Sequence, residues 1–278
     1  MGLPEVMITV LGSSGFIGSQ IVKDLRIKNI DYFAPKRDAI IQNQNLGDII
    51  YCIGLTADFR TRPHDTITAH VSYLNDLIQN NNFNSLTYLS STRVYIHNKN
   101  TDERSDIIVS TSDPFDFYNS TKITGELLAL NSGKKNIKIA RLSNVFGMDF
   151  ESNNFITSIT KDALTSDLIT LRTTAKSSKD YISVLDVSEM LIQLAQLNKS
   201  GIYNVSKGKN TENRIILNRL KELTGCVIKY DDDAVDIIFP VIVNTKIVNE
   251  LNYSPKYELV DELEIYANEF KIRLKNDT

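Results

Sequence analysis

The chain is poor in the residues that would build a metal centre or a disulfide framework: its 278 residues include two cysteines, Cys52 and Cys226. They lie far apart and no metal-ligand spacing accompanies them, so neither a disulfide framework nor a bound metal is expected. Both sit in apolar, β-rich stretches and read as buried structural thiols. Charge of one sign is also scarce. The formal net charge is -3 without any long single-sign block, which excludes the electrostatic footprint of a nucleic-acid or anionic-membrane binder. The short runs Lys134-Lys135 and Asp231-Asp232-Asp233 read as a solvated turn and a solvated loop, because adjacent carboxylates do not converge on one cation. No apolar stretch approaches membrane-spanning length, so no membrane insertion is expected. The run Val6–Leu11 is too short for a signal-peptide core and lacks a basic flank, and Met1-Gly2 is not followed by Ser or Thr at position 6. A cytoplasmic protein is the expectation. No Pro/Gly/Ser-rich linker, internal repeat or low-complexity tract divides the chain.

What is present is an alternation of short apolar runs with amphipathic segments. Val6–Leu11, Asp31–Ala34, Asp48–Gly54, Leu86–Ser90 and Ile137–Leu142 read as strands; Phe16–Lys28, Thr66–Gln79 and Tyr118–Asn131 read as helices. Strands separated by helices of this length imply a parallel sheet with helices on both faces. The second half is less regular. Helices are expected over Phe155–Leu164, Val187–Leu197, Thr211–Leu223 (stopping at Gly225) and Leu259–Leu274, and a strand over Gly201–Val205. The fold class is therefore α/β: a Rossmann-like doubly wound parallel sheet with a smaller C-terminal substrate-binding lobe. Residues 1–150, with about 181–206, are expected to form the dinucleotide-binding domain, and about 151–180 and 207–278 the lobe.

The segment Gly12-Ser13-Ser14-Gly15-Phe16-Ile17-Gly18 follows a strand and opens a helix. The first glycine permits the tight turn, the second lets backbone approach a pyrophosphate, and the third lets helix pack close to strand. Free N–H groups and the partial positive charge at the helix N-terminus favour phosphate. Gly12, Ser14, Gly15, Phe16, Ile17 and Gly18 are thus candidate cofactor-binding residues, with Gly54 at the end of the third strand. After the second strand come Lys36 and Arg37, which favour a 2′-phosphate and hence NADP. Asp38 directly after them keeps NAD as the alternative.

Tyr118 and Lys122 are spaced i, i+4 at the start of a helix, on one face and within about 6 Å at Cβ. A free phenol has a pKa of about 10. A neighbouring ammonium, together with an oxidised nicotinamide, lowers it and makes tyrosine a usable acid/base at neutral pH. Ser91 and Thr92 end the strand Leu86–Ser90 on the carboxyl edge, where open parallel sheets bind ligands. A Ser91 hydroxyl there can hold a substrate oxygen while Tyr118 moves the proton.

These elements, with Arg141-Leu142-Ser143-Asn144-Val145-Phe146-Gly147, Lys179-Asp180-Tyr181-Ile182-Ser183-Val184-Leu185-Asp186-Val187 and Gly201-Ile202-Tyr203-Asn204-Val205, resemble the extended short-chain dehydrogenase/reductase family, in its nucleotide-sugar epimerase/dehydratase/reductase branch. The resemblance implies that Ser91, Tyr118 and Lys122 are the catalytic hydroxyl, acid/base and supporting cation. It also implies that Asn144 and Lys179 meet the diphosphate of a nucleotide-linked sugar. A homodimer through the helices at 66–79 and 118–131 follows from it too. An Asn common early in the first of those helices is replaced by His70, whose role is left open between site residue and packed histidine. Dehydratases of the branch carry Asp-Glu directly after the hydroxyl, and some epimerase-reductases carry Cys two residues after it. Thr92-Arg93 stand there, which disfavours 4,6-dehydration and 3,5-epimerisation. The readings that remain are an NADPH-dependent reductase of a nucleotide-linked 4-keto-6-deoxyhexose, for a surface polysaccharide such as O-antigen, and a 4-epimerase that retains NAD. A non-catalytic dinucleotide sensor on the same fold is the reading from another class.

Overall fold

The computed structural model describes residues 7–37, 39–56 and 58–276. Met1, Gly2, Val6 and Asp38, which entered the reading above, lie outside the described residues. The main sheet has the order β2-β1-β3-β4-β5-β9, every pairing parallel. Its strands are β1 (Ile8–Leu11), β2 (Tyr32–Phe33), β3 (Asp48–Tyr51), β4 (Ser85–Ser91), β5 (Ile137–Leu142) and β9 (Gly201–Val205). The chain steps outward from β1 to β2 and then returns to place β3 on β1's other side. That reversal opens a crevice at the carboxyl ends of β1 and β3, where ligands bind in such sheets.

Why these strands are apolar throughout follows from burial on both faces. Ile8, Val10 and Ile50 pack on one side, with Ile21 and Leu25 of α1 (Phe16–Ile27) and with Met190, Leu191 and Leu194 of α6 (Val184–Gln196). Ile49, Tyr51, Leu86 and Tyr88 pack on the other, against Leu74, Leu77 and Ile78 of α3 (Tyr73–Asn80) and Ala129 of α4 (Asp116–Leu130). The helix expected from Thr66 starts earlier, as α2 (Pro63–Ile67), because Pro63 is suited to a first helical position. Between α2 and α3, Thr68–Ser72 winds as a π turn.

The remaining strands form two small sheets. β6 (Asn144–Phe146), β8 (Ser178–Ser183) and β10 (Asn210–Glu212) make the order β10-β8-β6, and β7 (Leu168–Thr173) pairs with β11 (Val227–Val235). Helices α5 (Phe155–Thr165), α7 (Asn213–Thr224) and α9 (Leu259–Asn276) enclose a second core that includes Ile159, Leu171, Leu217, Leu220, Leu263 and Phe270. Helix α8 (Thr245–Leu251) instead sends Ile247 into the main core. Helix α7 ends at Gly225, in the left-handed conformation with φ +77°, as its sequence suggested. One expectation is corrected. Asp231–Asp233 lie not in a loop but within β11, where the register with β7 shifts between Tyr230 and Val235. The three carboxylates fall between the paired residues Tyr230 and Val235, in a bulge that keeps them toward solvent while the strand continues past them.

Backbone comes very close to backbone in the glycine loop. A Cβ on Gly18 would stand 2.3 Å from the carbonyl oxygen of Gly12. Gly18→Ala is expected to lower unfolding stability by about 1–3 kcal/mol, read from urea denaturation; an unchanged midpoint would show that the helix can slide away from the strand.

Candidate active site

The site begins where β1 stops. Gly12 takes φ +83°, and a Cβ there would lie 3.0 Å from the backbone carbon of Cys52 on the neighbouring strand's exit. The turn closes through Gly15 N–H donating to Gly12 O at 3.1 Å. Gly15 is the N-cap of α1 and offers no side-chain acceptor, so the first-turn N–H groups are left for an anion. A Cβ on Gly15 would meet nothing nearer than Gly12 O, at 3.4 Å. This is a bare, donor-rich cradle and it fits a pyrophosphate. Gly15, Phe16, Ile17 and Gly18 line a cleft of about 390 Å³; Gly12 supports it from beneath, and Ser14 is exposed outside it. Lys36 and Arg37 are exposed just past β2, without an ion-pair partner among the described residues, and do not line the cleft.

The opposite wall carries Ser91, Thr92, Tyr118, Lys122 and Gly54. Helix α4 starts two residues before Tyr118, which places Tyr118 and Lys122 in its first two turns, 4% and 5% exposed. Lys122 Nζ lies 5.9 Å from the centre of the Tyr118 ring and 5.2 Å from that of Tyr88, and donates to Leu89 O at 2.9 Å. Burial pushes the Lys122 ammonium down to about 7, against the opposing pull of Glu126 and Cys52. Burial likewise raises the Tyr118 phenol, while hydrogen bonds with Thr56 and Ser91 and the charge of Arg93 work the other way. Ser91 Oγ accepts the Arg93 N–H at 3.2 Å, which fixes the hydroxyl at the strand's end.

His70 proves to be wholly buried behind this wall. Its Nε2 accepts the Leu55 N–H at 3.2 Å, so the proton sits on Nδ1, which donates to Thr121 Oγ1 at 2.9 Å. Thr121 in turn donates to the Tyr118 carbonyl. The imidazole stands edge-on to the Tyr118 ring at 5.5 Å. Burial, and then the Lys122 charge, hold it down to about 2, so it is a neutral histidine that packs behind the Tyr118 phenol. The π turn leaves two carbonyls to be met from the sheet: Tyr51 donates to Ala69 O and Tyr88 to His70 O.

Farther along the cleft are Asn144 and Lys179. Asn144 Nδ2 donates to Asp180 O at 2.9 Å, and the Asp180 carboxylate accepts the N–H groups of Lys207, Gly208 and Lys209. Burial lowers the Lys179 ammonium, and the charge of Arg93 lowers it further. The structure thus brings together Gly15, Phe16, Ile17, Gly18, Gly54, Ser91, Thr92, Tyr118, Lys122, Asn144 and Lys179, and leaves Ser14, Lys36 and Arg37 apart. Cys52 corrects another expectation. It is partly accessible at the cleft wall because it leaves β3 beside Gly12, although enclosure still pushes its thiol up to about 12. Cys226 is buried. Sequence reasoning missed Thr56, Phe59, Arg93 and Phe239, which also line the cleft. For Arg93 the signal was its place two residues after Ser91; for the others the sequence offered none.

A buried ion pair holds this wall in place. Glu126, one turn beyond Lys122, meets Arg141 of β5 at 2.6 Å with both side chains under 5% exposed. Ser90 donates to the same carboxylate. Arg141 also donates to Tyr95 Oη at 2.6 Å, and Tyr95 donates to Asn204 Oδ1 of β9 at 3.0 Å.

A family model described as the NAD dependent epimerase/dehydratase family matches residues 8–206. No curated protein matches the chain. Solved structures with the same fold include a UDP-N-acetylglucosamine 4-epimerase from Methanobrevibacter ruminantium in complex with UDP-N-acetylmuramic acid. It is 19% identical with a TM-score of 0.80, over 98% of this chain and 100% of that one. A UDP-glucose 4-epimerase from Thermotoga maritima with UDP-glucose gives 18% and 0.74, over 97% and 100%. RMD from Pseudomonas aeruginosa, complexed with NADPH, gives 17% and 0.74, over 96% and 100%.

Lys122 makes the electrostatics testable. Its proton is held below the usual lysine range only in the folded state, so between about pH 7 and 10 the unfolded chain binds more protons and stability rises with pH. Lys122→Met is expected to flatten that rise by up to about 1.4 kcal/mol per pH unit, measured by urea denaturation from pH 7.5 to 9.5. Equal slopes in both proteins would mean that Lys122 keeps its proton throughout.

Proposed function

The chain belongs to the NAD dependent epimerase/dehydratase family, the nucleotide-sugar branch of the extended short-chain dehydrogenases/reductases, and from that premise we propose that it is an NADPH-dependent reductase of a nucleotide-linked 4-keto sugar. The observation that carries this reading is the meeting of Tyr118, Lys122 and Ser91 on one wall of a cleft whose other wall is the uncapped start of α1. The dinucleotide, when bound, supplies the hydride. Gly15 and the first-turn N–H groups of α1 would hold its pyrophosphate, and Lys36 with Arg37 the 2′-phosphate. Gly54 leaves room beside His70 and Lys122: a Cβ there would come within 3.2 Å and 3.3 Å of their nitrogens.

Ser91 Oγ holds the substrate's carbonyl oxygen. As the carbonyl carbon accepts hydride, that oxygen becomes an alkoxide and takes the proton of Tyr118, leaving an alcohol and a tyrosinate. Burial favours the neutral phenol, which suits a residue that starts the cycle as a proton donor. The Lys122 ammonium then stabilises the tyrosinate. Lys179, from the lobe formed by about 151–180 and 207–278, and Asn144, just before that lobe in the chain, meet the substrate's diphosphate. The dimer we envisage joins α2, α3 and α4, where Ile67, Leu127 and Leu130 are 41%, 56% and 37% exposed.

A second reading, 4-epimerisation with retained NAD, is favoured by Lys36 and Arg37 not lining the cleft. Tyr118→Phe is expected to lower turnover at least 1000-fold with dinucleotide affinity changed less than about twofold, by steady-state absorbance at 340 nm and fluorescence titration. Wild-type turnover in that variant would make another group the proton donor. The double variant Lys36→Ala, Arg37→Ala is expected to weaken NADPH at least tenfold more than NADH, about 1.4 kcal/mol of discrimination. Equal weakening would end the 2′-phosphate assignment and leave NAD.

A further inference from the structure

The end of the cleft beside Tyr118 holds cations that the protein itself does not neutralise. Arg93 lines the cleft with Cζ 4.5 Å over the Phe115 ring, its Nε is buried without a hydrogen-bond partner, and no carboxylate lies in ion-pair range among the described residues. Arg60 stacks on the other ring positions of the same platform, 3.9 Å from the centre of Phe115 and 5.4 Å from that of Phe59. Lys179 lies between Phe155 and Phe239, 5.5 Å and 5.4 Å from their centres, also without an ion pair. The nearest acids act on Arg93 only from beyond ion-pair range and hold other partners. Asp113 and Asp116 face His97 at 3.5 Å and 3.1 Å, and Asp116 also accepts the Ser110 N–H. Asp149, the carboxylate in the cleft lining, is hydrogen-bonded by Ser152.

Aromatic faces return about 0.5–2 kcal/mol to a cation. Arg93 is only partly buried, but its enclosed Nε, left without an acceptor, loses more than a ring face returns. Burial, and then the charge of Arg93, holds the Lys179 ammonium below the usual lysine range. A ligand group that restores the balance must therefore be negative. Lys179 lies with Asn144, toward the diphosphate. Arg93 is two residues from Ser91, its N–H on the Ser91 hydroxyl, and so stands at the reacting sugar. A neutral hexose offers it only hydroxyls.

The geometry points to a sugar that bears a carboxylate, received by Arg93 with Arg60 at the rim, as the substrate class of this cleft. The inference rests on the reading of the cleft as a nucleotide-sugar site, and it holds for either direction of hydride transfer. It replaces the neutral 6-deoxy carbon of the expected hexose by an acid, on the ring or on a side arm. The chemistry is that of a planar fork gripping a planar carboxylate through two parallel hydrogen bonds.

The test uses pairs matched in base and ring that differ in charge: UDP-glucuronic acid against UDP-glucose, UDP-N-acetylmuramic acid against UDP-N-acetylglucosamine, and GDP-mannuronic acid against GDP-mannose. Binding to the NADP-loaded protein is read by titration calorimetry. In at least one pair the acid is expected to bind ten times more tightly or better, and Arg93→Met is expected to bring the acid-to-neutral ratio to about one. Arg60→Met serves if Arg93→Met does not fold, with a fall in the ratio of threefold or more. An unchanged ratio in the variant overturns the assignment. So does equal weakening of acid and neutral sugars, which would place Arg93 on the diphosphate, or the absence of acid preference in every pair. Failure of the nucleotide-sugar reading looks different: UDP, dTDP, GDP and CDP themselves would not bind.

Discussion

The placement of Tyr118 and Lys122 in this cleft depends on where α4 lies, and a carboxylate and a guanidinium buried beneath it decide that. Tyr118, Lys122 and Glu126 follow one another at four-residue steps along one stripe of the helix. Glu126 is clamped by Arg141 from β5 and by Ser90 from β4. The stripe is thereby pinned to two adjacent strands, one residue from the Ser91 hydroxyl. Removing either member of such a pair leaves an uncompensated charge, at about 3–5 kcal/mol. The pair adds little net stability over apolar packing; what it contributes is one register of helix on sheet. It also neutralises Glu126, which otherwise would stand unopposed one turn from Lys122.

Above that anchor, electrostatics are dominated by exclusion of water. The Tyr118 phenol is raised and the Lys122 ammonium lowered by the same burial, so both groups move toward their neutral forms. His70, also neutral, adds no charge behind them. Near neutral pH this leaves Lys122 poised between its charged and neutral forms, while the other cations of the cleft, Arg93 and Lys179, stand on aromatic faces.

Much of this was legible in the residues. The glycine loop could be placed because strand, turn and helix are contiguous. Tyr118 and Lys122 could be paired because helical spacing alone puts them on one face. Lys179 and Asn144 were reached through motif resemblance, since they lie on separate strands of a small sheet whose pairing no local pattern encodes. Thr56, Phe59 and Phe239 were out of reach for the same reason: loops converge through tertiary packing, and a lone Thr or Phe carries no positional signal. The partial exposure of Cys52 arises from its approach to Gly12 across the strand-order reversal. The Asp231–Asp233 run was misplaced because charge density suggested a loop, whereas it is a bulge in β11 between residues paired with β7.

The hydrogen bond from Tyr95 to Asn204 has a bearing on how the enzyme comes into being. Glu126 meets its guanidinium as soon as β5 has been made, yet the phenol steadying that guanidinium is itself satisfied only by a residue 109 positions farther on. Asn204 donates in turn to the carbonyls of Thr101 and Val243. On a ribosome, the helix that carries Tyr118 and Lys122 is thus made well before the residue that completes its brace, and its final seating waits for β9.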